Sequence, residues 1–230
     1  MSEAQEFKYI GQRTIRPDGF DKVTGRATYG ADLTLPGMIW GKTLRSPHAH
    51  AKILSIDTSK AEAHPDVMSV ATFKDFVALQ SESVAGTEGA ASVLDVARNC
   101  LADDKVLYHG HAIAAIAART ERVAKDALAL IEVKYELLPP VLDVEDAMKE
   151  DSPVLHDDMF TAGYDEKPSK ASNIATRVEM KMGDVDAGFA EADVIVEREF
   201  RTPTAHQGYI EPHACTVTYD ENGQSMVWCC

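Results

Sequence analysis

Basic residues are scarce in this chain. Its 230 residues hold 23 lysines and arginines against 37 aspartates and glutamates, a formal net charge of −14. Such a balance repels a phosphate backbone, and the basic clusters present are short and interrupted, so nucleic acid is excluded as the main partner. Long apolar runs are missing as well. The longest, Ala112 to Ala118, falls far short of the ~20 residues a helix needs to span a bilayer. The first residues, Met1-Ser2-Glu3-Ala4-Gln5-Glu6, lack the basic start and apolar run of an export signal. No membrane span and a cytoplasmic location are therefore expected. Cysteine is sparse: Cys100, Cys215, Cys229 and Cys230 form no CxxC and no even framework, which excludes a disulfide-stapled miniprotein and makes reduced thiols the default. GxSxG, HExxH, GxGxxG and paired CxxC motifs are absent, so no complete active site is visible in the residues themselves.

What remains is an ordinary globular composition, 45% apolar and 26% charged. The length allows one large or two small domains with a sizeable core. Residues 1–20 read as an irregular arm with turn chemistry at Arg16-Pro17-Asp18-Gly19. Strands are predicted at Met38 to Leu44, Ala51 to Asp57 and Val67 to Phe73. In the second, Ile53 and Ser55 would face one way, Leu54 and Ile56 the other. Ser81 to Gly89 has no period and reads as a loop, and residues 80–100 as a whole are ambiguous. A short strand is expected at Lys105 to Tyr108. Ala112 to Ala118 is apolar on both faces, as in a buried central strand; a helix is the competing reading, because alanine favours it. Thr120 suits the N-cap of a helix whose apolar face is Val123, Ala127, Leu130 and Ile131. Glu132 to Leu137 follows as a strand, stopped by Pro139-Pro140, with a short helix at Glu145 to Lys149.

The alternation of strands with few helices makes the fold class α+β, with residues 21–149 as the first domain. Polar breakers mark residues 150–175 as a linker, and a second unit covers 176–230. There, Asp184 can cap a helix through Ala190, Asp193 to Phe200 alternates as a strand, and Asn222-Gly223 signals a hairpin between Ala214–Tyr219 and Ser225–Cys230. A unit that small, ending on an uncapped strand, would bury little surface alone. The expectation is a fragment of a longer polypeptide or a subunit completed by another chain.

Four constellations invite chemistry. Gly37-Met38-Ile39-Trp40-Gly41-Lys42-Thr43 imitates a phosphate loop but has the wrong spacing and precedes a strand, so a turn and strand are expected. His48 with His50, and His109 with His111, form two HxH pairs. Each could chelate a metal from a strand face, but neither has a third ligand, and polar loop histidines are the preferred reading. Glu211, His213 and Cys215 would line one face of a strand, with His206 upstream and Pro212 hinting at an edge or bulge. A satisfied polar cluster beside a deeper pocket is preferred there over a metal site. Cys229-Cys230 would point to opposite strand faces, so a disulfide between them needs a strained turn, and buried reduced thiols are expected.

Five segments taken together resemble the large, molybdopterin-binding subunit of the xanthine dehydrogenase and aldehyde oxidase group. They are Gly11-Gln12-Arg13 through Arg16–Asp32, Gly41–Ala51 (with Arg45-Ser46-Pro47-His48-Ala49-His50), Asp104–Ala115, Ile131–Asp143, and His206-Gln207-Gly208-Tyr209-Ile210-Glu211-Pro212-His213-Ala214-Cys215. The resemblance implies an α/β hammerhead domain followed by the incomplete start of a molybdopterin-binding domain. It implies a molybdenum hydroxylase in which water supplies the oxygen, a glutamate acts as base, and electrons leave through [2Fe-2S] clusters to FAD. Carbon monoxide dehydrogenases and hydroxybenzoyl-CoA-type reductases share the large-subunit plan. The implied partners are an FAD-binding medium subunit, a [2Fe-2S] small subunit and the remainder of the large subunit, with a dimer of heterotrimers as the assembly it allows. No cluster-binding cysteine pattern occurs here. The family's active-site glutamine, its Gly-Gly-Phe-Gly segment and its base glutamate match no position of this chain. No catalytic, cofactor-binding or metal residue is therefore carried over, and Glu211 and His213 are given at most a supporting role. The alternative is a non-catalytic module that docks on the flavin or iron–sulfur subunits. The weakest reading is a free-standing metal-binding protein that uses His206, Glu211, His213 and Cys215.

Overall fold

The alanine-rich run forms the central strand of one of two three-stranded sheets. In the computed structural model, which describes residues 7–76, 83–86 and 89–229, a short helix α1 (Gly19–Val23) comes first. It is followed by β1 (Trp40–Arg45), β2 (Ala51–Asp57), α2 (Ser59–Glu62), β3 (Val67–Thr72), β4 (Ser83–Gly86), β5 (Gly89–Ser92), α3 (Val93–Cys100), β6 (Lys105–Val106) and β7 (Ala112–Ala118). Then come α4 (Glu121–Leu128), β8 (Glu132–Leu137), α5 (Val144–Ala147), α6 (Val185–Glu191), β9 (Cys215–Tyr219) and β10 (Ser225–Cys229). Contacts divide the chain into two units, Met38–Ile195, and Met1–Gly37 with Val196–Cys230.

In the first unit, β7 lies between β1 and β3 in an antiparallel three-stranded sheet, and β2 lies between β6 and β8 in another. The strand is buried on both faces near its start. Ala114, Ile116 and Ala118 pack with Ala61, Ala124, Ala127 and Ile131 in one core, while Ile113 joins Ala51 and Val106 in a second. Small side chains on β7 and on the inner face of α4 let the helix lie close to the sheet; bulkier ones would hold it off. Thr120 caps α4, its hydroxyl oxygen accepting the Val123 amide at 3.2 Å, and Lys42 on β1 pairs with Glu121 at 2.7 Å. Asp143 and Asp184 cap α5 and α6 in the same way.

The expected alternation of β2 is broken. A bulge between Ile53 and Ser55 resets the register, so Ile53 and Ile56 both pack inward while Leu54 is left 62% exposed. The loop expected over Ser81 to Gly89 instead holds the antiparallel hairpin β4–β5, although Ser81, Glu82, Thr87 and Glu88 lie outside the described residues. The strand expected from Asp193 to Phe200 does not form. Its alternating Val194, Val196 and Phe200 are exposed, and among the described residues no strand pairs with it. An alternating pattern marks a segment able to pair, and without a ladder partner its backbone has no reason to be a strand.

Residues 150–177 carry one isolated parallel bridge, Ala162 to Thr176, yet they are tightly tied. Asn173 is the knot: its Nδ2 donates to the carbonyls of Ala147 (3.2 Å) and Pro153 (3.0 Å), and its Oδ1 accepts the Leu155 amide at 2.9 Å. The buried Thr161 hydroxyl donates to the Ile174 carbonyl at 2.7 Å. Gly163 sits at φ +87°, where a Cβ would come within 1.9 Å of the Arg177 carbonyl oxygen.

In the second unit, β9 and β10 pair antiparallel across the turn that Asn222-Gly223 signals. Gly223 adopts φ +84°, its amide donates to the Asp220 carbonyl at 3.1 Å, and the Asp220 amide donates to the Gln224 carbonyl at 3.0 Å. Among the described residues no helix is long and apolar enough to cross a membrane.

Candidate functional site

The two HxH pairs do not sit on strand faces. His48 and His50 lie in the β1–β2 loop, and His109 and His111 in the turn before β7. One member of each pair is buried and committed to the backbone. His50, 5% exposed, donates Nδ1–H to the Pro139 carbonyl at 2.7 Å. Its Nε2 is buried without a hydrogen-bond partner. His111 is fully buried: Nε2–H donates to the Arg98 carbonyl at 2.8 Å, and Nδ1 accepts the Leu107 amide at 3.3 Å. Arg98 lies in the last turn of α3, so His111 satisfies a carbonyl that the helix end leaves open. Burial holds the His111 imidazole below its ordinary pKa, and Tyr108 stacks on it at 4.5 Å. With both ring nitrogens engaged, His111 has no lone pair to offer a metal. His48 meets the Tyr135 ring edge-on at 4.9 Å, and His109 is exposed.

Gly37, at φ +74°, makes a turn followed by strand β1, with no helix N-terminus to receive a phosphate.

The strand face expected for Glu211, His213 and Cys215 does not exist, because β9 begins at Cys215 and the preceding residues are irregular. Pro212 denies that stretch a ladder donor. Glu211 is half-buried and accepts the Gly30 amide at 3.2 Å, tying two distant stretches of the second unit together. Tyr209 lies between two histidines, 5.0 Å from His206 and 4.3 Å from His213, the latter edge-on. The histidines thus serve an aromatic cluster and Glu211 a backbone contact. Cys229, expected to be buried, is an exposed free thiol, as is Cys215, and Cys230 lies outside the described residues. Among the described residues no group of three or more His, Cys, Asp or Glu is arranged to hold a metal ion.

One charge cluster is not revealed by the residue pattern. Arg98, Asp103, Asp104, Lys105, Asp157 and Asp158 surround a cavity of about 220 Å³ in the first unit. Arg98 reaches Asp158 at 2.7 Å, and Lys105 reaches Asp157 at 2.7 Å. The Arg98 hydrogen bond draws the Asp158 carboxyl below its ordinary pKa, whereas burial pushes Asp103 up. Sixty positions separate Arg98 from Asp158, so no local periodicity could announce the pair. A larger cavity of about 800 Å³ opens within the 147–174 loop, bordered by Lys149, Lys167 and Lys170 together with Glu150 and Glu166. Its charges are of mixed sign, and its Thr161 hydroxyl and Asn173 amide are committed to backbone carbonyls.

Residues 24–139 match the family described as aldehyde oxidase and xanthine dehydrogenase, a/b hammerhead domain, and residues 166–230 match the molybdopterin cofactor-binding domain. The chain belongs to the xanthine dehydrogenase and aldehyde oxidase family of molybdopterin-binding large subunits, of which it holds the N-terminal hammerhead domain and the start of a second domain. It is 33% identical over 223 residues to the nicotinate dehydrogenase large molybdopterin subunit of Eubacterium barkeri, covering 97% of this chain and 47% of that protein. It is 33% identical over 229 residues to the carbon monoxide dehydrogenase large chain of Afipia carboxidovorans, covering 98% of this chain and 27% of that one. The structure of reconstituted CO dehydrogenase from Oligotropha carboxidovorans superposes with a TM-score of 0.76 at 34% identity, over 95% of this chain and 27% of that chain. The chain therefore spans from about a quarter to about half the length of these relatives.

Proposed function

We propose that this chain forms the N-terminal part of the large subunit of a molybdenum hydroxylase-type oxidoreductase. In the complete enzyme, oxygen derived from water would be transferred to a carbon next to a heteroatom or to an aldehyde carbon. The observation that carries this reading is the ordered match of two adjacent domains, residues 24–139 and 166–230, to the hammerhead and molybdopterin-binding families. The domain limits we propose are an arm over 1–20, the hammerhead over 21–149, a linker over 150–175 and the incomplete molybdopterin-binding domain over 176–230.

The described residues do not by themselves make a cradle for a molybdopterin-type cofactor. The buried polar side-chain atoms without a hydrogen-bond partner, His50 Nε2 and Arg98 Nε, both belong to the hammerhead part, while most of residues 178–214 are exposed. The role proposed for this chain is thus to build and brace the scaffold. His111 and Asn173 hold its loops, and Glu211 fixes the entry to the β9–β10 hairpin. A cofactor-binding surface would be completed by the remainder of the large subunit, with FAD and [2Fe-2S] on partner subunits in the cytoplasm.

The test is molybdenum per chain, by elemental mass spectrometry, on the complex purified from its native host through a tag on this polypeptide. Near-stoichiometric molybdenum, with co-purifying chains that carry iron and flavin, is expected. Intact partner chains without molybdenum would overturn the catalytic reading and leave a docking module.

A further inference from the structure

We propose that Cys215 and Cys229 are a reversible disulfide site, oxidised by a low-molecular-weight disulfide such as glutathione disulfide. The two residues are direct partners at the open end of the β9–β10 hairpin. The turn determines which kind of pair they are. The Asp220 amide donates to the Gln224 carbonyl, so positions 220 and 224 form a hydrogen-bonded pair, and the pairs alternate outward from it. Tyr219 with Ser225 is then non-hydrogen-bonded, Thr218 with Met226 hydrogen-bonded, Val217 with Val227 non-hydrogen-bonded, and Thr216 with Trp228 hydrogen-bonded. Cys215 with Cys229 falls on the non-hydrogen-bonded kind.

At such a position the Cα atoms lie about 4.5 Å apart and both side chains leave the sheet on the same face. Disulfides span Cα separations of about 4.4–6.8 Å, so the pair sits at the short end of what a bridge accepts. A bond formed there is feasible without moving the strands and is more easily reduced than a relaxed one. Both thiols are exposed, so a small oxidant can reach them, while Cys100 belongs to the other unit. Cys230 lies outside the described residues.

The exchange balances in two steps. One cysteine, as its thiolate, attacks a sulfur of glutathione disulfide and expels one glutathione thiolate, giving a mixed disulfide. The other cysteine, as its thiolate, attacks the protein sulfur of that mixed disulfide and expels the second glutathione. Two cysteine thiols lose two electrons and two protons, and one glutathione disulfide becomes two glutathione thiols. Closure would pin the hairpin immediately after the Tyr209–His213 cluster and the Glu211 contact.

The test equilibrates the 230-residue chain across a series of glutathione to glutathione disulfide ratios, quenches it by alkylation and maps the peptides. The expected product is one internal link, Cys215 to Cys229, two hydrogens lighter than the dithiol and reversed by excess glutathione. Cys100 and Cys230 should remain thiols or glutathione adducts. The same oxidation in denaturant should scatter the links among all four cysteines. Cys230→Ser should keep the link, and Cys215→Ser should leave Cys229 as a glutathione adduct. A Cys229–Cys230 link would overturn the proposal. So would separate adducts on Cys215 and Cys229 with no link between them, or a native map identical to the denatured one.

Discussion

His111 shows how a residue that looks like a ligand becomes a strut. Its two nitrogens bridge the end of α3 and the Leu107 amide, and burial keeps the ring neutral by lowering its pKa from the ordinary 6.5. The unfolded chain therefore binds a proton on this residue that the folded chain resists. Its stability contribution is complete above the ordinary value and declines as pH falls below it, toward the depressed folded pKa. The urea midpoint should fall from neutral pH downward, and part of that slope should vanish in His111→Gln, which keeps a donor and an acceptor but cannot charge. His111→Leu strands the Arg98 carbonyl and the Leu107 amide and should cost about 1–3 kcal/mol at neutral pH in the same measurement. From the residues alone, His109 and His111 are equivalent members of a pair. Only the packing of β7 makes one a buried brace and leaves the other exposed.

Among the elements, β7 and α4 pack small buried side chains against each other. Ala124 is fully buried against the sheet, so Ala124→Leu should force the helix outward and lower stability by about 1–3 kcal/mol in chemical denaturation. Thr120→Ala removes the cap on Val123 and should cost about 1 kcal/mol in the same assay. Both elements are legible in part: Thr120 with the spacing of Val123 and Ala127 states a helix, although Leu130 and Ile131, read as its further apolar positions, lie beyond its end at Leu128, and the apolar run after Gly110 reads as a buried strand against a competing helix. The helix α3 is not, although Leu94 and Ala97, with Leu101 just past its end, recur at helical spacing; the polar and small residues before it mask the period. The alternation at Asp193 to Phe200 misleads for the opposite reason, since pattern reports what a segment can pair with and not whether a partner is present. The bulge in β2 sends Leu54 outward and Ile56 inward, although they are two apart, and no side-chain pattern distinguishes a bulge from a regular strand. At the site, the family is legible from five motifs, while the Arg98–Asp158 and Asn173 contacts are not, because they join positions far apart in the chain.

For the whole molecule, part of the chain without regular structure, residues 150–177, is held by side-chain hydrogen bonds instead of ladders. Asn173→Ala would release the Ala147 and Pro153 carbonyls and the Leu155 amide together. Limited proteolysis should then cut within residues 150–177 several-fold faster, with a smaller change in the global unfolding midpoint. The strand order carries a different consequence, one for synthesis. Among the described residues, β1 and β3 do not pair with each other but each with β7, and β2 pairs only with β6 and β8. As the chain leaves the ribosome, the first three strands of the hammerhead emerge with no neighbour to bond, and they must wait until residues 105–137 follow. Their edges stay open for that interval, which is when a nascent chain is most prone to join another copy of itself. The same order makes the two halves of the domain natural complements. A break between α3 and β6 would leave one piece holding the outer strands of the β7 sheet and the other holding its centre, and each would have its partner waiting in the other.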